Sequence, residues 1–285
     1  MISITKFLMS VVLLTSLTAG AAPATAALTE SEFLDFERGF LTEEEAQFAM
    51  WPDLNDYLRD NGMVWNVGTY GRPRGSDLLR LQDLWAHLDN EKLQYFRMLL
   101  LYNVSETGPY AQTVRVYTRP PGSQFNYVDL KNWRYDAIWD ISSGVISKFR
   151  TITGLYKVHP DRVVRDATAW GANDPMPHSM YIHYKYCPEG RWSGIATHGT
   201  PFENRLGNRA SSGCLRLSRT NARDLYTEVT KSYAGDVPVT NFCNGSRWAP
   251  GAEHLEMARD AQGRVQLESG YQVMFVIHDD PNPAF

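Results

Sequence analysis

The segment His198–Leu217, HGTPFENRLGNRASSGCLRL, guides the interpretation of the whole chain. In it a polar, glycine-containing loop leads to Gly213 and Cys214. Glycine adopts backbone dihedrals that other residues avoid, and backbone N–H groups at such a turn can converge on one developing oxyanion. Their partial positive charge lowers the pKa of a thiol placed there. We therefore expect a turn that leads into a helix and presents Cys214 as a nucleophile.

A thiol nucleophile requires a base or a positive neighbour at neutral pH, and histidine is the side chain suited to that task. His198 ends a predicted strand, GIAT, and lies 16 residues before Cys214 across a loop that can fold back. Spacing alone does not place the two residues in contact. A cysteine near an unrelated surface histidine therefore remains the alternative at this point.

Composition limits the class of protein. The chain has 285 residues, of which 43% are hydrophobic and 21% charged, and this is typical of a globular protein of one large domain or two small ones. The net charge is -4 and there is no long basic run. This argues against nucleic acid as the main partner.

The N-terminus has the pattern of a secretory signal peptide over residues 1–27. Lys6 precedes the apolar run FLMSVVLL, and Ala24-Thr25-Ala26 has the small residues that precede a cleavage site. An uncleaved membrane anchor is the alternative, but Ser, Thr and Pro residues interrupt the apolar stretch before it reaches the length of about 20 residues that a span requires. We expect a Sec-exported, periplasmic protein with no transmembrane segment after signal removal and no lipoprotein anchor.

Two regions with different hydrophobic periodicity follow. Residues 28–108 are predicted to form a helical N-terminal module, because apolar residues recur at helical spacing, most clearly from Asp77 to about Tyr102. This module either packs on the main domain or recognises a partner and gates the site. Residues 109–285 are predicted to form a mainly β domain with one or two helices. Its predicted strands include TVRVYT, YDAIWDI, GLYKV, SMYIH and VMFVIH, and its clearest helix runs from Ser218 to Lys231.

The segment around Cys214 resembles the active-site signature of the L,D-transpeptidases, the YkuD-like family of bacterial cell-wall enzymes. The resemblance covers roughly residues 110–245 and rests on four ordered segments besides the export signal. The segments are HGT with the glycine-containing loop and S-x-G-C-L-R-L, DISSG at 140–144 with TGLYKV at 153–158, MPHSMY at 176–181, and NARDLY at 221–226. The resemblance to this family implies a YkuD-like β-sandwich or barrel with one or two helices.

The resemblance also implies roles for individual residues. Cys214 would be the nucleophile and His198 its general base, oriented by the Gly199 carbonyl. The backbone N–H groups of Gly213 and Cys214 would form the oxyanion hole. Arg216 would brace the site or meet a substrate carboxylate. Two further residues would line the site, Thr200 and Ser211.

One position departs from the family pattern. Many members have histidine where this chain has Ser212. A hydroxyl donates a hydrogen bond but is a poor base, so His198 is the only evident base in the segment. The departure leaves open how the acceptor amine is deprotonated and which acceptor is used.

The other two cysteines, Cys187 and Cys243, flank predicted strands, and in an oxidising compartment they could form a disulfide that closes a loop of about 57 residues and contributes roughly 4 kcal/mol. An odd cysteine count leaves at least one thiol unpaired. A zinc site is not expected, because His178 and His183 are five residues apart in a predicted strand and so face opposite sides.

The family resemblance implies acyl transfer between peptidoglycan stem peptides, with no metal or organic cofactor and with carbapenems as covalent inhibitors. Two alternatives remain. The same site could mainly hydrolyse, as an L,D-carboxypeptidase, an endopeptidase or a hydrolase of wall–protein bonds. The domain could also bind cell wall without catalysis.

Overall fold

The computed structural model describes residues 79–122, 126–144, 151–169, 174–186, 191–241 and 255–283. The predictions for the signal peptide, for the helical residues 28–78 and for the Cys187–Cys243 disulfide lie outside these ranges. No helix within them is long and apolar enough to cross a membrane.

The described residues are mainly β-structure. The strands are β1 (Met98–Asn103), β2 (Thr113–Thr118), β3 (Arg134–Asp140), β4 (Gly154–Ala169), β5 (Asp174–Ile182), β6 (Lys185–Tyr186), β7 (Arg191–Trp192), β8 (Ala196–Thr200), β9 (Leu215–Ser218), β10 (Ala234–Pro238), β11 (Leu267–Tyr271) and β12 (Val273–His278). The helices are α1 (Leu81–Trp85), α2 (Asn90–Leu93) and α3 (Arg219–Ser232), with single 3-10 turns at Leu130–Asn132 and Glu203–Arg205.

Eight strands form one sheet in the order β3-β2-β1-β12-β4-β5-β8-β9, and two pairs, β10-β11 and β6-β7, lie outside it. The two ends of this sheet approach each other. Ser142, which follows β3, bridges Arg216 of β9, and Gly144 bridges Ser211. The sheet is therefore curled towards a barrel, and its seam lies at the residues that flank Cys214. The predicted mainly β fold is confirmed.

The predicted helix from Asp77 to Tyr102 is wrong in its second half. Helices α1 and α2 occupy the first half, but Met98–Asn103 is a strand that pairs parallel with β12 and antiparallel with β2. Met98, Leu100 and Tyr102 face one hydrophobic cluster, while Leu99 and Leu101 face another. A strand buried on both faces has a continuous apolar sequence, which periodicity cannot distinguish from a buried helix. The main sheet thus begins before residue 109.

Helix α3 packs against the sheet near the site and confirms the helix predicted from Ser218 to Lys231. The Ser218 side chain caps its N-terminus by accepting a hydrogen bond from the Asn221 amide at 3.1 Å. Ala222, Leu225 and Val229 form its buried face at helical spacing. The expectation that Cys214 leads straight into this helix is wrong, because β9 lies between them.

Burial of His278 in β12 is expected to make the protein sensitive to acid. His278 is 0% exposed, neither ring nitrogen has a hydrogen-bond partner among the described residues, and burial lowers its pKa to about 3. In the unfolded chain the pKa of a histidine is about 6.5. The unfolded chain therefore takes up a proton below that pH while the folded one does not. The stability contribution present above pH 6.5 is lost as the pH falls towards 3.

Between pH 7 and pH 5 this one group should lower the free energy of unfolding by about 2 kcal/mol. We expect His278→Leu to lose correspondingly less stability than the wild type over that interval. Urea unfolding of both proteins at both pH values measures the difference, in which the contributions of the other histidines cancel. An identical pH dependence in the two proteins would contradict the assignment.

Candidate active site

Strands β8 and β9 run parallel and bring the two predicted catalytic segments side by side. His198 pairs with Arg216, and Thr197 pairs with Leu215. Successive residues of a strand face opposite sides. Leu215 faces the hydrophobic core, whereas Ala196 and His198 share the other face of β8.

Cys214 lies on that same face. It packs against a small apolar cluster made of Met176, Tyr181 and Ala196. Its thiol donates a long hydrogen bond of 4.0 Å to the Gly194 carbonyl, and the side chain is partly exposed. The fold therefore places Cys214 and His198 on one face of adjacent strands, which spacing in the sequence could not establish.

The local geometry of His198 suits a base. Its ring Nδ1 lies 2.9 Å from the Gly199 carbonyl oxygen, which can only accept a hydrogen bond, so Nδ1 carries the proton and Nε2 keeps its lone pair. The side chain is buried, and burial lowers the pKa of His198 to about 4, although the Gly199 carbonyl opposes this shift. At neutral pH the imidazole is therefore neutral and able to accept a proton.

Ser211 shapes the turn that precedes Cys214. Its hydroxyl donates to the Cys214 carbonyl at 2.5 Å and accepts from the Gly213 amide at 3.2 Å. Gly213 has φ of 104°, a conformation that L side chains rarely adopt. The Gly213 N–H, predicted to form part of the oxyanion hole, is thus engaged by Ser211 in this structure. Its oxyanion role stays a prediction.

Thr151 is a site residue that sequence reasoning missed. Its hydroxyl accepts from the Gly144 amide at 2.9 Å and donates to the Gly213 carbonyl at 2.9 Å. It is 1% exposed. Its contact with Gly213 spans 62 residues of sequence, so no local pattern could have revealed it. Thr151 ties the Cys214 turn to the opposite edge of the curled sheet.

The segment that resembled the Ser/Gly strand end of the family forms the other wall of this seam. The Ser143 carbonyl accepts from the amides of Ala210 and Ser211, both at 2.9 Å. The Ser143 amide in turn donates to the Gln112 side chain at 2.9 Å. Gln112, also missed from the sequence, is 1% exposed and has φ of 49°. Through these bonds β3 and its continuation fix the loop that carries Cys214.

Arg216 is buried beside the Cys214 turn. It is 7% exposed, and its Nη1 donates to the Ala210 carbonyl at 2.7 Å. Burial lowers its pKa to about 10, which still leaves it charged at neutral pH. Its backbone exchanges hydrogen bonds of 3.0 and 2.8 Å with Ser142. Both roles that the resemblance implied for Arg216, bracing the site and meeting a substrate carboxylate, stay predictions.

The remaining predicted residues surround the pair. Thr200 is buried at the end of β8, and its hydroxyl accepts from the Phe202 amide at 3.2 Å. A Cβ on Gly199 would lie 3.2 Å from Pro177 and 3.3 Å from Ala222, so strand β8 packs tightly beneath α3. Ser212 is partly buried. The predicted site residues of 198–216 thus lie on the adjacent strands β8 and β9 and on the turn that precedes β9.

In the part of the chain that the structure describes, no group of three or more His, Cys, Asp or Glu side chains is arranged to hold a metal ion. The two histidines considered for zinc contact different residues. His178 contacts Tyr226 of α3, whereas His183 contacts His159 and Trp192.

Removing the Thr151 hydroxyl is expected to destabilise the turn. Thr151→Val keeps the shape but leaves a buried N–H on Gly144 and a buried C=O on Gly213 without this partner. Each such group costs about 1–3 kcal/mol. We expect a loss of about 2 kcal/mol or more in the free energy of unfolding and slower alkylation of Cys214 by iodoacetamide. Thr151→Ser, which keeps the hydroxyl, is the control; equal behaviour of the two variants would contradict the role.

The fold and site define a mainly β domain with a cysteine and a histidine on one face of a curled sheet. Residues 115–240 match the family model of the L,D-transpeptidase catalytic domain, YkuD. This match lies within the residues over which the sequence resembles the L,D-transpeptidases. Cys214 and His198 both lie within the matched residues.

Solved structures of L,D-transpeptidases are among the chains similar to this one. One from Mycobacterium smegmatis is 20% identical with a TM-score of 0.30, and the match covers 46% of this chain and 54% of that one. One from Mycobacterium tuberculosis H37Rv is 16% identical with a TM-score of 0.35, covering 64% of this chain and 58% of that one. A third, LdtMt1 in complex with imipenem, is 18% identical with a TM-score of 0.30, covering 46% and 54% respectively.

The matches therefore extend over little more than half the length of these relatives. No curated protein sequence matches the chain significantly.

Proposed function

We propose that the protein is a peptidoglycan L,D-transpeptidase that transfers an acyl group through Cys214. The observation that carries the proposal is that His198 of β8 and Cys214, which directly precedes β9, lie on the same face of these adjacent parallel strands, within the residues that match the YkuD family model. The substrate would be a stem peptide with a diamino acid at position three. Secretion to the periplasm, where such substrates occur, belongs to the same proposal.

In the first half-reaction, His198 Nε2 takes the thiol proton and the Cys214 sulfur attacks the carbonyl carbon of residue three. The tetrahedral intermediate carries its negative charge on the former carbonyl oxygen, which backbone N–H groups of the Cys214 turn would stabilise. The C–N bond then breaks, and the proton on His198 passes to the amine of the leaving D-residue. A thioester on Cys214 and a neutral His198 remain.

In the second half-reaction, an acceptor amine attacks the thioester carbon and Cys214 leaves as the thiolate. The proton lost by the amine returns through His198 to the sulfur. With another stem peptide as acceptor the product is a cross-link, and with water it is a shortened stem. Since Ser212 supplies no second base, His198 serves both halves.

Three features support this chemistry. The imidazole is neutral at the working pH, because burial lowers the pKa of His198 to about 4. The Gly199 carbonyl fixes the tautomer that leaves Nε2 as the acceptor. The Cys214 turn is held on both sides, by Ser211 and by Thr151, so that little reorganisation is needed when charge develops.

The proposal is tested by incubating the protein with purified disaccharide tetrapeptides and analysing the products by tandem mass spectrometry. Cross-linked dimers that have lost one terminal D-residue are the expected result. Shortened monomers alone would instead assign hydrolysis. Binding to sacculi with no covalent product from the wild type would exclude the enzymatic proposal and favour a wall-binding domain.

Carbapenems are expected to inhibit by acylating Cys214, since their β-lactam carbonyl is open to the same thiol attack. One similar protein was crystallised with imipenem, and another with a faropenem-derived adduct. The expected sign of acylation here is a mass increase equal to one imipenem molecule, confined to Cys214.

A further inference from the structure

A second arginine, Arg162, contacts the apolar cluster that Cys214 packs against. The family resemblance offered Arg216 as a candidate for a substrate carboxylate, but the structure buries Arg216 and directs it to the Ala210 carbonyl. Arg162 in strand β4 is only partly buried. Arg162 lies outside the four segments that resemble the family.

Arg162 is held by an aromatic ring rather than by an acid. Its guanidinium carbon lies 3.9 Å from the centroid of the Tyr181 ring, a cation–π contact. Among the described residues, no Asp or Glu forms an ion pair with Arg162. Its neighbour Asp161 is exposed, and the Asp161 amide donates to His159 Nδ1. The guanidinium also makes a side-chain hydrogen bond with Tyr181. Since it has five N–H donors, it can bind a further group.

Tyr181 connects this arginine to the nucleophile. Tyr181 pairs with Ala196 across β5 and β8, and the apolar cluster that includes both residues also contacts Cys214. Burial raises the pKa of Tyr181, and the nearby Cys214 adds to that increase. Arg162 and Cys214 thus lie against the same ring, one on its face and the other in the cluster around it.

The two histidines of this region carry no charge at pH 7. His159 and His183 contact each other and Trp192, and burial lowers the pKa of both. The acidic groups that act on His159 together with Arg162 are Asp161 and Glu268. Asp161 is exposed and Glu268 pairs with Lys157, so Arg162 remains the positive group in contact with Tyr181.

We propose that Arg162, positioned on the Tyr181 ring beside Cys214, binds a substrate carboxylate that flanks the scissile bond and so determines specificity for acidic stem peptides. A guanidinium can bind a carboxylate through two parallel hydrogen bonds, which an ammonium cannot reproduce. The inference deepens the proposed function and rests on it. Two carboxylates have this chemistry, the one on the leaving D-residue and the one on the side chain of the diamino acid.

Three synthetic tetrapeptides distinguish these sources: the free acid, the same peptide amidated at its C-terminus, and the same peptide amidated on the diamino acid. We expect Arg162→Gln to lower kcat/KM for the free acid about 10- to 100-fold, the range that charge-assisted hydrogen bonds cover. It should leave the rate for one amidated peptide nearly unchanged, and that peptide identifies the carboxylate. Arg162→Lys should recover only part of the loss.

Arg165→Gln is the matched control. Arg165 lies on the same strand, its side chain is 76% exposed, and it faces Asp166 at 3.9 Å rather than Tyr181. Removal of its charge should change none of the three rates by more than about twofold, because exposed charges contribute little. If Arg162→Gln and Arg165→Gln reduce all three rates equally, only general electrostatics is involved and the inference is overturned.

Binding to Cys214→Ala, measured by calorimetry with the same three peptides, separates this inference from the proposed function. The Cys214→Ala protein should bind the free acid more tightly than the amidated peptide, and the double variant with Arg162→Gln should lose this difference in affinity. That result would support carboxylate binding even if the wild type turned over no stem peptide. Turnover of all three peptides by the wild type, with no change in preference on Arg162→Gln, would overturn the inference and leave the proposed function intact.

Discussion

Cys214→Ala is expected to lower the formation of cross-linked dimers at least about 10³-fold, to the background of the assay. The reason is that no other described side chain near His198 offers a thiol or an activated hydroxyl. Ser211 donates its proton to the Cys214 carbonyl and accepts from Gly213, so its hydroxyl is engaged in the turn. Product analysis by mass spectrometry measures the loss.

The substitution should leave the fold unchanged. Cys214 is partly exposed, and the hydrogen bond from its sulfur to the Gly194 carbonyl is long, so an alanine removes little packing. Wild-type and variant proteins should unfold at urea concentrations that differ by no more than a few tenths molar, consistent with a change below about 1 kcal/mol. Substantial dimer formation by a folded Cys214→Ala protein would remove the central assignment.

His198→Gln is expected to produce the second-largest loss, about 10²- to 10⁴-fold in kcat/KM, the usual contribution of a general base. Glutamine can keep a hydrogen bond to the Gly199 carbonyl but cannot accept the thiol proton. In the wild type the activity should persist as the pH falls through 6.5, because burial lowers the pKa of His198 to about 4 and the imidazole stays unprotonated. The acid limb of the profile should therefore lie well below pH 6.

His178→Gln is the control for this prediction. His178 lies on β5, and its ring contacts Tyr226 of α3. It should reduce activity by less than about threefold, since it removes one edge contact between rings. A wild-type activity that falls with an apparent pKa near 6.5, while circular dichroism shows the protein still folded, would contradict the buried, neutral state assigned to His198.

Most of the strand pattern could be predicted from the sequence because the strands either alternate or end at Gly and Pro. The strands predicted at TVRVYT and VMFVIH are confirmed as β2 and β12. The strand Met98–Asn103, MLLLYN, could not be predicted, because it is buried on both faces and so has no polar alternation. VMFVIH is buried in the same way, but its β-branched residues favour a strand, whereas the leucines of MLLLYN are equally typical of a helix. Its parallel partner, β12, lies at the other end of the chain, and no local pattern indicates such a pairing.

The residues with catalytic chemistry could be predicted from the sequence, whereas the buried residues that hold the Cys214 turn in place could not. Cys214, Gly213 and His198 could be selected because their residue types suit nucleophilic catalysis. Thr151 and Gln112 could not, because a threonine or glutamine in a loop has no distinguishing pattern and each acts through contacts distant in sequence. That Arg216 is buried while Arg162 is only partly buried could not be predicted either, because it depends on which side chain the curled sheet covers.

The most direct test is to locate the acyl group on the protein itself. The protein is mixed with a tetrapeptide donor, quenched in acid within seconds and digested with pepsin, which is active at low pH and spares the thioester. The peptic peptides that contain Cys214 are then analysed by tandem mass spectrometry. The account predicts a thioester adduct with the mass of the donor minus its terminal D-residue, on Cys214 and removable by hydroxylamine. Turnover accompanied by an adduct on another residue, or by no adduct under conditions where the acceptor is withheld, would contradict it.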